Sequence, residues 1–81
     1  MKVTVKYIGF QPLQELRKTA MEIPEGFTLQ DLMEKIKESR PPYEKKLLDR
    51  ATLLVNREKG DLEGTLKEGD YVLILVPLGG G

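Results

Sequence analysis

Polar and apolar residues alternate through Lys2-Val3-Thr4-Val5-Lys6-Tyr7. This period of two predicts a strand with Val3, Val5 and Tyr7 facing a core and Lys2, Thr4 and Lys6 facing water. Ile8-Gly9-Phe10-Gln11-Pro12 breaks the alternation and reads as a loop. Leu13 to Arg17 reads as one irregular turn. A second alternation, Thr19 to Ile23, places Thr19, Met21 and Ile23 on one face and ends at the turn Pro24-Glu25-Gly26. Together the two strands predict an antiparallel hairpin with a long connection.

Beyond the hairpin the period changes. Leu29, Leu32, Met33 and Ile36 recur at the spacing of one helical face. Thr28 stands where a cap is needed, and Asp31 completes a capping-box pattern with a shorter acid than usual. Pro41-Pro42 ends this helix, because a residue before proline avoids the helical region. Tyr43 to Arg50 is ambiguous; Leu47 and Leu48 require burial, which a short helical turn would supply. Ala51 to Asn56 reads as a third strand, Arg57 to Gly60 as a charged turn, and Asp61-Leu62-Glu63 as a short fourth strand. After a turn at Gly69-Asp70, Tyr71 to Val76 forms the last strand. The expected class is therefore α+β, a mixed sheet of four or five strands on one main helix.

Composition narrows the chemistry. The 81 residues carry 13 Lys+Arg against 13 Asp+Glu, with no Cys and no His. That length suits a single domain burying about 60% of its unfolded surface. Without Cys there is no disulfide, thiolate nucleophile or Cys-based metal site; without His the usual general base and the commonest metal ligand are missing. A small secreted domain would need disulfide staples, so a cytoplasmic location is expected. Lys6 interrupts the apolar start, and the longest apolar run, Tyr71 to Leu78, is too short for a bilayer and contains Pro77. Neither a membrane nor a nucleic-acid partner is expected from balanced charge without a basic cluster. Asp61, Glu63, Glu68 and Asp70 match no calcium-loop spacing and read as solvated turns.

Two features remain that side-chain catalysis does not account for. The last strand is apolar on both faces, with Val72, Ile74 and Val76 in one set and Tyr71, Leu73 and Leu75 in the other. One helix covers only one face, so the uncovered set is a candidate partner surface. The chain then runs Pro77-Leu78-Gly79-Gly80-Gly81. Pro77 stops strand pairing, and the five residues after Val76 reach at most about 18 Å. A glycine strand threads a channel too narrow for other residues. Its reactive group is the α-carboxylate of Gly81, ionised at neutral pH.

The element order, Thr28-Leu29-Gln30-Asp31-Leu32-Met33 at the helix start, Leu54-Val55-Asn56 closing the third strand, Gly69-Asp70 before the last strand and the terminal Gly80-Gly81 together resemble the ubiquitin-like β-grasp sulfur carriers (the MoaD/ThiS family). The likeness is strongest to the small subunit of molybdopterin synthase, the MoaD type, and covers essentially the whole chain. It implies a β-grasp domain over residues 1–76 and a flexible tail over 77–81.

The resemblance also implies an activity. An E1-like enzyme spends ATP to adenylate the terminal carboxylate, a separate donor supplies sulfur, and the resulting thiocarboxylate enters a large MoaE-type subunit that makes molybdopterin. Gly81 would bear the thiocarboxylate and Gly80 would thread beside it. Pro77, Leu78 and Gly79 would guide the tail, with Gly79 standing where relatives often carry another small residue. Phe10, Leu73 and Leu75 would belong to the docking surface. The chain itself would bind no cofactor and would not be catalytic alone. Three alternatives stay open: a ubiquitin-like modifier joined to target lysines, with or without a role in tRNA thiolation; a thiazole-synthesis carrier; and a non-covalent β-grasp binding domain.

Overall fold

The computed structural model describes residues 1–9 and 18–76. Along the chain, β1 (Lys2–Ile8) and β2 (Lys18–Glu22) are followed by α1 (Leu29–Glu38), α2 (Pro42–Asp49), β3 (Thr52–Val55), β4 (Glu58–Lys59) and β5 (Tyr71–Leu75). The strands form one mixed sheet in the order β2-β1-β5-β3-β4. The parallel pair β1–β5 lies at its centre, with antiparallel pairs on either side. This is the ubiquitin-like β-grasp architecture.

Alternation along the strands assigns the faces. Val3, Val5 and Tyr7 of β1 and Val72, Ile74 and Val76 in and after β5 are buried, together with Ile23 and the α1 stripe Leu29, Leu32, Met33 and Ile36. These residues make one core, against which Met21, Phe27, Leu47, Leu53 and Val55 pack in part. Burial of such side chains is worth roughly 1.5–3 kcal/mol each, so the position of α1 on this face is set by its own apolar stripe. The Thr28 hydroxyl accepts from Asp31 N at 3.1 Å and the Asp31 carboxylate accepts from Thr28 N at 3.0 Å, completing the capping box.

Three expectations change. The ambiguous segment before β3 is a second helix, α2, beginning at Pro42 and burying Leu48. Proline is well placed there, since the first helical turn has no use for its missing N–H. Lys37 to Asp49 (2.6 Å) links α2 to α1, and Arg40 to Glu44 (3.4 Å) braces the junction between them. The fourth strand is Glu58–Lys59, inside the span expected to be a charged turn, while Asp61-Leu62-Glu63 is itself a turn closed by Gly64 N to Asp61 O at 2.8 Å. The cause is the pair Asn56 and Arg57, both at positive φ (52° and 73°). Two such residues make the tight hairpin turn that matches strand twist, so β4 starts at once with Glu58 opposite Val55. Ile8, expected in a loop, continues β1.

Candidate functional site

Among the described residues no helix lies over the face of the sheet away from α1. β5 presents Tyr71, Leu73 and Leu75 there, all half-buried. Register supplies the neighbours: Leu73 lies between Lys6 of β1 and Leu54 of β3, and Leu75 between Ile8 and Thr52. Ile8 is 43% exposed, so the apolar stripe is open to solvent at that end. Lys6, Ile8, Leu54, Asn56, Arg57, Tyr71 and Leu73 line a shallow depression of about 630 Å³. An apolar floor of this kind is the usual mark of a partner surface.

Positive charge borders the depression. Lys6 and Arg57 stand on its rim, and the Lys18 ammonium lies 6.0 Å from the centre of the Tyr71 ring, in cation–π range. Asp70, the neighbour of Tyr71 in sequence, is engaged with Asn56 Nδ2 at 2.8 Å and Lys67 N at 2.7 Å. Two of the other turn acids, Asp61 and Glu68, are also occupied with main chain. Asp61 accepts from Glu63 N at 3.0 Å and Glu68 from Lys2 N at 2.9 Å, which explains these acids as turn-formers. Among the described residues no group of three or more acidic side chains could hold a metal.

The stripe adjoins the point where the chain leaves the sheet. Val76 N donates to Ile8 O at 2.8 Å and the Val76 side chain is buried. The strand is thus anchored up to the residue that precedes the glycine-rich segment, and the exposed Ile8 sits at the same end. Of the residues singled out from sequence, Leu73 and Leu75 lie on this outer face, whereas Val72 and Ile74 face the core. Phe10, Pro77, Leu78, Gly79, Gly80 and Gly81 lie outside the described residues. Sequence reasoning missed Lys6, Ile8, Leu54, Asn56 and Arg57 as parts of the depression, while Tyr71 was already grouped with Leu73 and Leu75. For Ile8 the signal was available: it has the same parity as Lys2, Thr4 and Lys6, the outward set of β1.

Buried Tyr7 lies behind the sheet, and burial pushes its phenol above the ordinary value while the nearby Arg40 guanidinium partly offsets this. It has no path to the outer face and serves the core. No helix among the described residues is long and apolar enough to cross a membrane.

Comparison with known proteins places this geometry. In a search among curated proteins nothing matched. Among solved structures, the chain is similar to a molybdopterin converting factor subunit 1 from Pyrococcus furiosus (28% identity, 96% of this chain and 99% of that one, TM-score 0.73). It is also similar to a chain in the complex of subunits 1 and 2 of the molybdopterin-converting factor from Helicobacter pylori (27%, 100% and 100%, TM-score 0.69). SAMP1 from Haloferax volcanii shares the fold at 21% identity, over 100% of both chains, with a TM-score of 0.75. The ThiS family model matches residues 8–81. An open apolar sheet face beside Val76, the last described residue, on a β-grasp body, is thus found in a chain that belongs to the ThiS family.

Proposed function

We propose that this chain is the sulfur-carrying small subunit of a molybdopterin synthase-like complex. In this reading an E1-like enzyme adenylates the carboxylate of Gly81 with ATP, releasing pyrophosphate. Sulfur from a separate donor then displaces AMP, leaving a thiocarboxylate. The tail, Pro77 to Gly81, delivers that sulfur into a MoaE-type subunit seated on the outer face of the sheet. The carrier supplies no catalytic side chain, which agrees with a sequence free of Cys and His.

The observation that carries the proposal is the adjacency of Ile8 and Leu75 to Val76, the last described residue, which is bonded to Ile8 O. A partner held on that patch is already beside the tail's origin, and a rim of Lys6 and Arg57 suits a partner with carboxylates around an apolar centre. The molybdopterin assignment is supported by the two likenesses at 28% and 27% identity, one of them a protein in complex with a second subunit. The modifier reading draws support from the full-length likeness to SAMP1 and predicts a different product. Mass spectrometry of the chain isolated from its native cells separates them. Exchange of one oxygen for sulfur at Gly81 supports the carrier, and isopeptide adducts on lysines of other proteins support the modifier. An unmodified terminus that stays inert to ATP and an E1-like enzyme rejects both.

A further inference from the structure

The opposite margin of the sheet has a pattern of its own. β2 closes the sheet and, among the described residues, pairs with β1 alone. Met1 and Ile23 exchange both main-chain bonds, Met1 N to Ile23 O at 2.7 Å and Ile23 N to Met1 O at 2.8 Å. In an antiparallel ladder bonded and non-bonded pairs alternate. Val3·Met21 and Val5·Thr19 are therefore bonded pairs, and Lys2·Glu22, Thr4·Ala20 and Lys6·Lys18 are not. The other side of β1 agrees: Thr4 N bonds Asp70 O at 2.9 Å and Lys2 O accepts from Gly69 N at 2.8 Å. The N–H and C=O groups of Lys18, Ala20 and Glu22 consequently point off the sheet. All three residues are exposed.

An open edge of this kind pairs readily with another strand. Its side chains select which one. Lys18 precedes Ala20 by two residues and Glu22 follows it by two, so the edge is charge-antisymmetric about a small central residue. We infer that β2 pairs antiparallel with β2 of a second copy of this chain, about a two-fold axis at Ala20. Each Lys18 then faces Glu22 of the other copy, Ala20 faces Ala20, and every outward main-chain group of these residues finds a partner. Other registers lose this match. Moving the axis to Glu22 or Lys18 sets like charges face to face, parallel in-register pairing sets Lys18 beside Lys18, and a one-residue slip misaligns the bonds and reverses the faces.

On the inner side, each Thr19 comes opposite Met21 of the other copy, next to the opening between β2 and α1 that Met21 and Ile36 help to line. The two sheets become continuous, with both outer faces on the same side. The two β5 strands run in opposite directions, so the chains leave Val76 at opposite ends and each outer face stays open. The dimer is thus independent of the sulfur-carrier reading. A short edge gives an affinity in the micromolar-to-millimolar range, since cross-strand pairs are individually small.

Sedimentation equilibrium of the full chain over that concentration range is the test. The wild type is expected to shift from monomer towards dimer mass, whereas Lys18→Glu and Glu22→Lys each remain monomeric, with affinity reduced at least about tenfold. The doubly exchanged chain, Lys18→Glu with Glu22→Lys, should dimerise like the wild type. Mixing the two single variants should also give a heterodimer, one edge being wholly acidic and the other wholly basic. Ala20→Pro should abolish pairing without unfolding the hairpin, because the Ala20 N–H takes no part in the β1 ladder. Circular dichroism confirms that each variant is folded. A wild type that stays monomeric, a dimer indifferent to the single exchanges, or a double exchange that fails to restore it overturns the inference.

Discussion

Asn56 and Asp70 join the β3–β4 hairpin to the start of β5, with Asn56 Nδ2 donating to Asp70 Oδ1 at 2.8 Å. Asn56 Oδ1 also accepts from Tyr71 N at 2.9 Å, and Asn56 N donates to Tyr71 O at 2.8 Å. One side chain thus fixes where the central strand begins while its own backbone holds a left-handed turn at φ 52°. Asn56→Ala removes two hydrogen bonds and puts an ordinary residue in that conformation, costing about 2 kcal/mol. Asn56→Gly keeps the turn and loses the bonds, costing about 1 kcal/mol. Urea denaturation of the two variants should rank them in that order.

Gly60 and Gly69 are needed for different reasons. A Cβ at Gly60 would come within 2.7 Å of Leu29 Cδ2 and 3.0 Å of Leu53 O. Leu29 is a buried core residue and the carbonyl accepts from Gly60 N, so neither has room to yield. Gly60→Ala should cost about 1–3 kcal/mol through overpacking. At Gly69 there is open space but φ is +84°. There, Gly69→Ala should cost about 1–2 kcal/mol through backbone strain, and Gly69→Asn should recover part of it. Thermal unfolding of the three variants distinguishes a steric from a conformational requirement.

The sequence was legible where one period ran without interruption. α1 and its capping box and the pairing of β1 with β2 follow from spacing alone, because each buries a single face against a single core. Spacing divided β5 into two apolar sets, and only the structure shows that Val72, Ile74 and Val76 face inward. The segments around them were decided by contacts distant in sequence. α2 hides only Leu48 fully and is held by Lys37 and Arg40 of the preceding segment, so its local pattern is faint. β4 is two residues long and exists because Asn56 and Arg57 turn the chain back on β3. The outer depression was half legible. Leu73 and Leu75 stood out in an all-apolar strand, but Ile8, Leu54 and Arg57 reach it through pairings that cross the chain.

Tyr7 makes stability depend on alkali. Burial raises its phenol above 10.0, with Arg40 offsetting part of the effect, so the folded chain holds this proton more tightly than the unfolded chain. The corresponding stability is present in full below about pH 10, the unfolded value, and is lost as pH rises through the folded one. Denaturation midpoints should fall more steeply above that pH in the wild type than in Tyr7→Phe. Equal slopes would mean that Tyr7 contributes nothing to alkaline unfolding.

The two faces of β5 should respond oppositely to charge. Leu73→Glu and Leu75→Glu alter the solvent-facing stripe and should leave the fold intact. Affinity for a MoaE-type subunit should fall at least about tenfold, or 1.4 kcal/mol, as for loss of a central apolar contact. Ile74→Glu buries a charge where Ile74 is 0% exposed and should unfold the chain. Calorimetric titration of the folded variants measures the first effect. Unchanged affinity in both would remove the outer face as the docking surface.

Removing Gly80 and Gly81 separates the tail's chemistry from the stability of the body. The last main-chain bond described at the end of β5 is Val76 N to Ile8 O, and Val76, the last described residue, is buried. The shortened chain should melt with the wild type, since the core residues and ladder bonds among the described residues all stay in place. It should nevertheless form no adenylate with an E1-like enzyme and ATP, and accept no sulfur. A chain lacking only Gly81 ends in a carboxylate of the same chemistry, displaced by about 3.5 Å. If position is what the activating enzyme reads, that variant should also fail, and pyrophosphate release measures both. A drop in melting temperature on deletion would give the glycines a structural task. Undiminished pyrophosphate release from both shortened chains would show that the activating enzyme does not read the position of the terminal carboxylate, and would overturn the threading role given to Gly80 and Gly81.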